Sequence, residues 1–347
     1  MPDDVILLAD GGGGERMMEL VKRQILTRFG PLDPSGELAK LSDAARVVTG
    51  GVELAFTTDS YVVRPLEFPG GDIGRLAISG TVNDLSCLGA RPVALSMGLI
   101  LEEGLDMALL GRVLDSAART AREVGVPVVC GDTKVVERGS ADQLFINTAG
   151  IGLIMKGADG KPRQLGAAMI RPGDRVLVSG TLADHGVAVM SKREGLRFEA
   201  AVESDVAPLW PLAERLLAAC PNLRVLKDPT RGGLAAAVNE LAEAARVHMR
   251  IEETAVPVRP AVAGACDALG LDVLNVANEG KYVVIVPADE ADAALAAMRG
   301  HPLGREAAVI GEVLEGDAPG PRVTLRTRIG GERVLELPYG EDLPRIC

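Results

Sequence analysis

The order of apolar runs along the chain constrains its fold more than any other sequence feature. Short runs rich in β-branched residues alternate with stretches whose apolar residues recur every three or four positions, which is the pattern of strands alternating with amphipathic helices. The clearest helix is at 106–124 and the clearest strand is at 144–154. The pattern occurs on both sides of 156–172, a stretch rich in glycine, proline and charged residues. The sequence therefore predicts an α+β fold made of two mixed α/β domains.

The stretch at 156–172 indicates a boundary between two domains. Two domains are expected because 347 residues exceed the usual size of one. Residues 1–40 contain a glycine run, Gly11–Gly14, which no Gly-Lys-Ser/Thr follows; this favours a flexible segment over a phosphate-binding loop. Pro338 and Pro344 favour extended backbone, so the last residues are expected to form a mobile arm that carries Cys347. The expected parts are the flexible segment 1–40, an N-terminal domain at 41–155, a linker at 156–172, a C-terminal domain at 173–337 and a mobile tail at 338–347.

Composition excludes several classes of protein. The formal net charge is −11 and basic clusters lack interleaved aromatic residues, so nucleic acid is not an expected partner. No apolar run approaches 18 residues, and the acidic start is unlike a secretory signal, so we expect no membrane span and no export. The five cysteines are scattered without Cys-x-x-Cys spacing, which is typical of cytosolic thiols. These features predict a cytoplasmic protein.

Aspartates recur where apolar segments end. Because strand ends and helix starts of an α/β protein meet at one rim, their carboxylates can converge there. Clustered carboxylates repel unless a cation lies among them, and oxygen ligands near phosphate suit magnesium. A single aspartate of this kind is more simply explained as a helix cap or turn residue. Five in such positions favour a site: Asp43, Asp59, Asp84, Asp132 and Asp228.

Several motifs together resemble the HypE family of hydrogenase maturation proteins, which belongs to the aminoimidazole ribonucleotide synthetase (PurM-like) superfamily. The resemblance covers nearly the whole chain, and two positions depart from the family pattern: Asp10 stands where histidine is usual and Lys227 where arginine is common. The motifs are FPGGDIG at 68–74, GTVNDL at 80–85, GDTKVV at 131–136, DPTRGG at 228–233, ANEGK at 277–281 and PRIC at 344–347.

The resemblance implies a fold, an activity and partners. In a homodimer, the N-terminal domains of two chains would close a shared β-barrel, and the C-terminal domain would be an α/β sandwich. The implied activity is ATP-dependent dehydration of a carbamoyl group on Cys347 to a thiocyanate, which donates cyanide to the iron of a [NiFe]-hydrogenase. The implied partners are a HypF-like carbamoyl-transferring protein and an iron-carrying HypC–HypD-type complex, and the implied cofactors are ATP and magnesium.

The resemblance also implies residue roles. Cys347 would carry the substrate, Lys134 would polarise the carbamoyl oxygen or steady the phosphoryl group, and Glu279 would take the N–H proton. The expected metal ligands are Asp43, Asp59, Asp84 and Asp132. The expected ATP-binding residues are Gly70, Gly71, Asp72, Asn83, Thr133 and Asp228.

Other interpretations stay open at the level of the sequence. The same aspartates would serve an enzyme of the superfamily that activates a free small molecule, or a nucleotide-dependent scaffold that docks partners through its tail. Apart from the resemblance, Glu279 is equally consistent with a solvated turn. The histidines lack metal-pair spacing and are interpreted as structural or surface residues: His185, His248 and His301. The remaining cysteines are interpreted as core residues: Cys87, Cys130, Cys220 and Cys266.

Overall fold

The computed structural model describes residues 5–196, 202–316, 323–339 and 345–347; Pro344, part of the predicted mobile tail, lies outside the described residues. The strands are β1 (Ala45–Thr49), β2 (Val52–Tyr61), β3 (Glu67–Phe68), β4 (Gly71–Asp72), β5 (Ala90–Glu102), β6 (Val128–Val136), β7 (Leu144–Ile154), β8 (Arg175–Val178), β9 (Val225–Lys227), β10 (His248–Glu252), β11 (Val283–Val286), β12 (Ala308–Leu314), β13 (Val323–Arg326) and β14 (Glu332–Val334). The helices are α1 (Glu15–Leu20), α2 (Thr27–Phe29), α3 (Ile73–Cys87), α4 (Met107–Val124), α5 (Asp184–Arg193), α6 (Trp210–Ala219), α7 (Gly233–Ala245), α8 (Pro260–Leu269) and α9 (Ala291–Arg299).

The first half contains a five-stranded sheet in the order β1-β2-β7-β5-β6. Its pairs are antiparallel except for β5 and β6, which run parallel. Helix α3 covers one face of this sheet, and α4 packs against α3. Both helices begin at an aspartate whose carboxylate accepts backbone N–H groups: Asp72 caps α3 and Asp106 caps α4.

The opposite face of the first sheet is apolar and exposed. Phe56 on β2 pairs with Ile151 on β7, and Ile100 lies on the same face of β5; each of the three exposes 40% or more of its surface. Isolated apolar residues on a surface are ordinary, but a continuous face of them marks an interaction surface. The sheet is open in a single chain, so the barrel shared between two chains stays a prediction.

The second half contains a seven-stranded sheet in the order β14-β13-β10-β12-β8-β11-β9. Alternation along its strands sends side chains to both faces. Leu177 and Val284 face a core that includes α6 and α9, whereas Val176 and Ile285 face a core that includes α7. The fold class predicted from the sequence, two mixed α/β domains, is confirmed.

Helix α3 joins the two halves through one continuous apolar core. Its residues Ile78, Val82 and Leu85 share a buried cluster with Trp210 of α6 and Leu177 of β8. Burial of aliphatic and aromatic side chains of this size contributes about 1.5–3 kcal/mol each. Helix α3 is therefore held from both domains, and polar residues near its end are fixed at the junction.

The N-terminal segment contacts the C-terminal half. Asp10 is buried and accepts a hydrogen bond of 2.8 Å from Arg16 Nε, and the Glu15 N–H donates to the Pro338 carbonyl. The predicted flexibility of residues 1–40 stays a prediction. Across the residues that the structure describes, no helix combines the length and apolarity needed to cross a membrane.

The contact between α3 and α4 generates a stability prediction. A methyl group added at Gly74 would overlap the Val113 carbonyl oxygen of α4. Overpacking of this kind costs about 1–3 kcal/mol, so Gly74→Ala should lower the melting temperature. Gly111→Ala on α4 is the matched control: nothing lies within 4 Å of an added Cβ there, and alanine in a helix should contribute about 0.5–1 kcal/mol. Equal melting temperatures for the two variants would contradict the close helix contact.

Candidate active site

Acidic residues from both halves converge where α3 meets β2 and β9. We refer to this group as the carboxylate cluster. Three of its residues come from the N-terminal half. The other two come from the C-terminal half: one directly follows β9, and the other lies in the turn before β11. The cluster comprises Asp43, Asp59, Asp84, Asp228 and Glu279, whose charges act on one another.

Short contacts hold the cluster together. Thr57 Oγ1 lies 2.9 Å from Asp84 Oδ2 and 2.8 Å from the Asp43 carbonyl oxygen. Thr57 has one hydroxyl proton, so both contacts are hydrogen bonds when Asp84 is protonated and donates to Thr57. Lys227 Nζ donates to Asp43 Oδ1 at 2.7 Å and also pairs with Glu240 at 3.3 Å.

Burial and mutual repulsion shift the ionisation of the cluster. Burial, followed by the charges of Asp228, Asp59 and Asp43, raises the pKa of Asp84 well above its usual value. Burial and the charge of Asp43 raise the pKa of Asp228 to about 7. Burial and neighbouring aspartates also raise the pKa of Glu279 well above its usual value. The cluster therefore binds protons more readily than isolated carboxyl groups do, and a bound cation would oppose this shift.

Positive charge from the chain balances the cluster only in part. Burial disfavours the Lys227 ammonium, but Asp43, Glu240 and Asp228 outweigh burial and raise the pKa of Lys227 well above its usual value. Arg231 also acts on the cluster, since its charge opposes the rise in the pKa of Asp59. Five carboxyl groups against these two cations leave an acidic excess.

The donor set suits a hard divalent cation. Ligand atoms of Asp43, Cys87 and Asp228 all lie within 4.8 Å of one another. Burial raises the pKa of the Cys87 thiol well above its usual value, so its sulfur stays protonated and the available donors are oxygens. Glu279 Oε1 is buried and has no hydrogen-bond partner among the described residues. In a purely structural network, every buried oxygen would have a hydrogen-bond partner. An unpaired buried oxygen in an acidic cluster is more consistent with a site for magnesium.

The turn that carries Glu279 is fixed by a buried aspartate. Asp205 accepts hydrogen bonds of 3.1 Å from the backbone N–H groups of Glu279 and Gly280, and of 3.2 Å from Lys281 Nζ. Burial raises the pKa of Asp205, but the charge of Lys281 and the hydrogen bond from the Glu279 backbone oppose burial, and the pKa lies below its usual value. Asp205 is therefore an ionised anchor for the Glu279 turn.

Three predicted site residues lie elsewhere in the chain. Asp132, Thr133 and Lys134 belong to β6, the exposed edge strand of the first sheet. Lys134 Nζ donates to both oxygens of Asp132, at 2.8 and 2.7 Å. Asp59 on β2 is separated from β6 by β7 and β5, which places the two strands roughly 14 Å apart. A single chain does not bring these three residues to the carboxylate cluster.

The predicted ATP-binding residues before and within α3 make structural contacts. The Asn83 side chain accepts from Leu209 N at 2.7 Å and donates to the Ala207 and Glu279 carbonyls. Gly70 has a positive φ of 87°, and an added Cβ would lie 2.7 Å from Ser204 N. An added Cβ on Gly71 would lie 2.6 Å from Val206, and Asp72 caps α3. Their predicted role in binding ATP stays a prediction.

The described end of the tail is docked against the N-terminal domain. The Val62 N–H donates to the Cys347 carbonyl at 3.1 Å, and Ile346 is buried in a cluster with Tyr61, Ile146 and Ala277. Cys347 is half-buried and packs on the same cluster. The Ile346 carbonyl contacts His185 Nε2, and His185 Nδ1 contacts Ser204, the residue before Asp205, which holds the Glu279 turn. The docked tail is therefore linked to that turn through His185.

Sequence reasoning overlooked several residues of this region. Cys87 lies in the apolar core as predicted, but its thiol also lies 3.8 Å from Asp228 Oδ1. The core prediction for Cys130 is wrong: it is exposed, because β6 is the edge strand of the first sheet. Thr57, Asp205 and His185 were not candidates, because nothing in their local sequence shows which distant carboxylate, turn or tail they contact. Lys227 could have been found, since a lysine directly before Asp228 at a strand end is a ready counter-ion.

Comparisons with known proteins agree with this architecture. Residues 41–154 match the N-terminal domain of AIR synthase related proteins, and residues 171–324 match the C-terminal domain. The chain is 48% identical to the carbamoyl dehydratase HypE of Rhodobacter capsulatus, with 99% of each chain covered.

Two solved structures are also similar. A crystal structure of a HypE–HypF complex contains a chain with a TM-score of 0.84 and 43% identity, covering 92% of this chain and 99% of that one. A crystal structure of HypE in complex with ATP gives a TM-score of 0.81 and 48% identity, covering 99% and 100%. The chain therefore belongs to the HypE carbamoyl dehydratase family, within the AIR synthase related proteins.

Proposed function

We propose that this chain catalyses the ATP-dependent dehydration of an S-carbamoyl group on Cys347 to a thiocyanate, for transfer of cyanide to the iron of a [NiFe]-hydrogenase. Its membership of the HypE family supports this activity. The observation that carries the proposal is the docked tail, whose Ile346 carbonyl contacts His185, which in turn contacts Ser204, the neighbour of the Asp205 that holds the Glu279 turn. A tail linked to this turn favours a substrate carried by the chain over a free small molecule.

The reaction requires the amide oxygen to become a leaving group, because hydroxide leaves poorly. The carbamoyl oxygen attacks the γ-phosphorus of ATP, ADP departs, and one N–H proton is lost. The second N–H proton then leaves as the C–O bond breaks, which gives the nitrile and inorganic phosphate. The balanced change is R–S–CO–NH₂ plus ATP to R–S–C≡N plus ADP and phosphate.

Residues of the chain have distinct parts in this scheme. Asp43, Asp59, Asp84 and Asp228 would hold magnesium, which neutralises the triphosphate when bound. Lys134 would steady the carbamoyl oxygen or the transferring phosphoryl group, with Asp132 as its carboxylate partner. Gly70, Gly71, Asp72, Asn83 and Thr133 complete the proposed ATP-binding set.

Glu279 is the proposed base for the N–H proton, and its ionisation depends on the charge around it. Burial and neighbouring carboxylates raise the pKa of Glu279, which favours its protonated form. A magnesium ion held among the aspartates would oppose that rise and favour the carboxylate, the form that acts as a base.

The chain is proposed to act as a homodimer whose sites are shared. Lys134 and Asp132 lie on the exposed strand β6, roughly 14 Å from the strand that carries Asp59. The exposed apolar face with Phe56, Ile100 and Ile151 offers a surface for a second copy. Packing two such faces would bring β6 of one chain toward the carboxylate cluster of the other.

The proposed partners match the two ends of the reaction. A HypF-like protein supplies the carbamoyl group, consistent with the HypE–HypF complex of a similar chain. An iron-carrying HypC–HypD-type complex accepts cyanide. Both exchanges involve the same thiol in a cytoplasmic setting, so the proposed tail at 338–347 leaves its docked position to meet each partner.

The activity predicts a mass change at Cys347. Cyanate adds to thiols and forms S-carbamoyl cysteine, so the full chain can be carbamoylated without a partner protein. With ATP and magnesium, we expect the Cys347 peptide to lose the mass of one water, because the amide oxygen leaves with phosphate. Peptide mass spectrometry measures this change, and carbamoylated Cys130 on β6 is the internal control, since it should keep its oxygen. A Cys347 peptide of unchanged mass, alongside continued ATP hydrolysis, would contradict tail dehydration.

Shared sites predict recovery of activity on mixing two inactive variants. Asp84→Asn removes a cluster carboxylate, and Lys134→Ala removes the lysine of β6; each alone should lose dehydration by orders of magnitude. Random exchange makes about half of the dimers mixed, and each mixed dimer holds one intact site, so activity should return to roughly a quarter of the wild-type value. Light scattering checks that each variant is a dimer. A mixture as inactive as its components, despite exchange of chains, would assign both residues to the same chain's site.

A further inference from the structure

The segment Ser204–Ala207 contacts the Glu279 turn directly and the docked tail through His185. Ser204 and Asp205 are neighbours in the chain, yet their side chains serve different partners. Ser204 contacts His185, which binds the tail, whereas Asp205 contacts the turn that carries Glu279. We refer to Ser204–Ala207 as the bridging segment.

On the tail side, the bridging segment acts through His185. His185 Nε2 lies 2.9 Å from the Ile346 carbonyl oxygen, and Nδ1 lies 2.8 Å from Ser204 Oγ. A carbonyl oxygen only accepts, so Nε2 carries the proton and donates it to the tail. Nδ1 then accepts from the Ser204 hydroxyl, whose oxygen in turn accepts from Val206 N at 3.0 Å. Ser204 thereby fixes the histidine in the form that binds the residue before Cys347.

The environment of His185 keeps this arrangement in place. The side chain is buried, and burial lowers its pKa below the usual value, so the neutral ring is favoured. The edge of Phe68 packs against the imidazole, with ring centroids 5.3 Å apart. Because the imidazole is buried and packs against Phe68, it cannot rotate away from the tail unless the surrounding core opens.

On the other side, Asp205 holds the turn that presents Glu279. Its two oxygens accept from consecutive backbone N–H groups, Glu279 and Gly280, and Lys281 balances its charge. Gly280 has no room for a side chain, because a Cβ there would overlap the Asp205 carbonyl oxygen. The position of Glu279 therefore depends directly on the position of Asp205.

The N-terminal domain clamps the bridging segment. Ser204 N donates to the Pro69 carbonyl at 2.8 Å, and Asn83 Nδ2 donates to the Ala207 carbonyl at 3.2 Å. The absence of side chains at Gly70 and Gly71 lets this segment approach the loop before α3. These two contacts hold both ends of the bridging segment in place, so Ser204 and Asp205 keep fixed positions relative to each other.

We propose that His185 and Asp205 are positioning residues for the dehydration: His185, set by Ser204, holds the tail by the Ile346 carbonyl, and Asp205 orients Glu279 toward it. The inference rests on the proposed function, because it needs a reacting group on Cys347 and a base at Glu279. The group on Cys347 and the Glu279 carboxylate are then positioned relative to each other by Ser204 and Asp205, which are adjacent residues of the bridging segment.

The first test separates tail docking from folding. His185→Leu removes the Nε2 donor, and the Cys347 thiol should react with iodoacetamide about three- to tenfold faster, the effect of one lost hydrogen bond. His185→Gln places an amide nitrogen near the Nε2 position and should restore a rate within about twofold of wild type. Peptide mass spectrometry measures the rates, with Cys130 in the same sample as the internal control and His301→Gln as the matched variant.

The second test separates docking from orientation of the base. Asp205→Asn places an amide where an acceptor is needed, so single-turnover dehydration of the carbamoylated chain should fall at least about tenfold. Its Cys347 alkylation rate should equal that of the wild type, because the tail contact is intact. Asp174→Asn, a change at another buried carboxylate of the same domain, should leave both rates unchanged.

The outcomes distinguish the inference from the proposed function. If the wild-type chain loses no water from carbamoylated Cys347, the proposed function fails. If the wild type dehydrates and His185→Leu or Asp205→Asn matches it in both measurements, the positioning roles are overturned. Ser204→Ala, which removes the hydroxyl behind Nδ1, provides the same docking test should His185→Leu fail to fold, and an unchanged alkylation rate there would also overturn the proposal.

Discussion

The structure depends on an acidic excess buried between two domains. Carboxyl groups from both halves meet beside α3, and Lys227 and Arg231 supply only part of the opposing charge. Such a cluster is costly when ionised, because burial and like charges both disfavour it. The apolar contacts of α3 with β2, α6 and β8 hold the cluster together against that repulsion. The fold thus maintains a buried site with more carboxyl groups than basic side chains.

The same electrostatics bear on Glu279, the proposed base. Burial and neighbouring carboxylates raise the pKa values of Asp84, Asp228 and Glu279, which favours their protonated forms. A protonated Glu279 cannot accept the N–H proton of a carbamoyl group. Under the proposed function, magnesium bound among the aspartates would oppose the rise in the pKa of Glu279 and favour the form that acts as a base.

Much of the fold could be predicted from the sequence, because periodicity reports burial directly. The apolar run at 144–154 became β7, and the helix predicted at 106–124 became α4 with its cap at Asp106. Helix α5 escaped notice, since it is buried on most sides and lacks an amphipathic stripe. Predicted strands that ended up in one sheet could not be ordered, because strand order depends on long-range pairing that local sequence does not encode.

The site was predictable in part for the same reason. Aspartates at strand ends were expected to converge, and Asp43, Asp59, Asp84 and Asp228 do. Asp132 and Lys134 occur in an equally distinctive motif, but β6 lies at the far edge of the sheet, so one chain leaves them apart. The role of Asp205 in holding the Glu279 turn could not be predicted from the sequence, since its partners are backbone groups more than 70 residues away.

The measurement that tests this account most directly is proton release on loading. Titration calorimetry of the chain with magnesium ions alone at pH 7, in buffers of different ionisation enthalpy, counts the protons exchanged. The account predicts net release from the protein, reduced in Asp84→Asn, because the entering cation displaces protons from Asp84, Asp228 and Glu279. A binding enthalpy independent of the buffer would mean that the carboxylates are already ionised, and would contradict the claim that a cation completes this site.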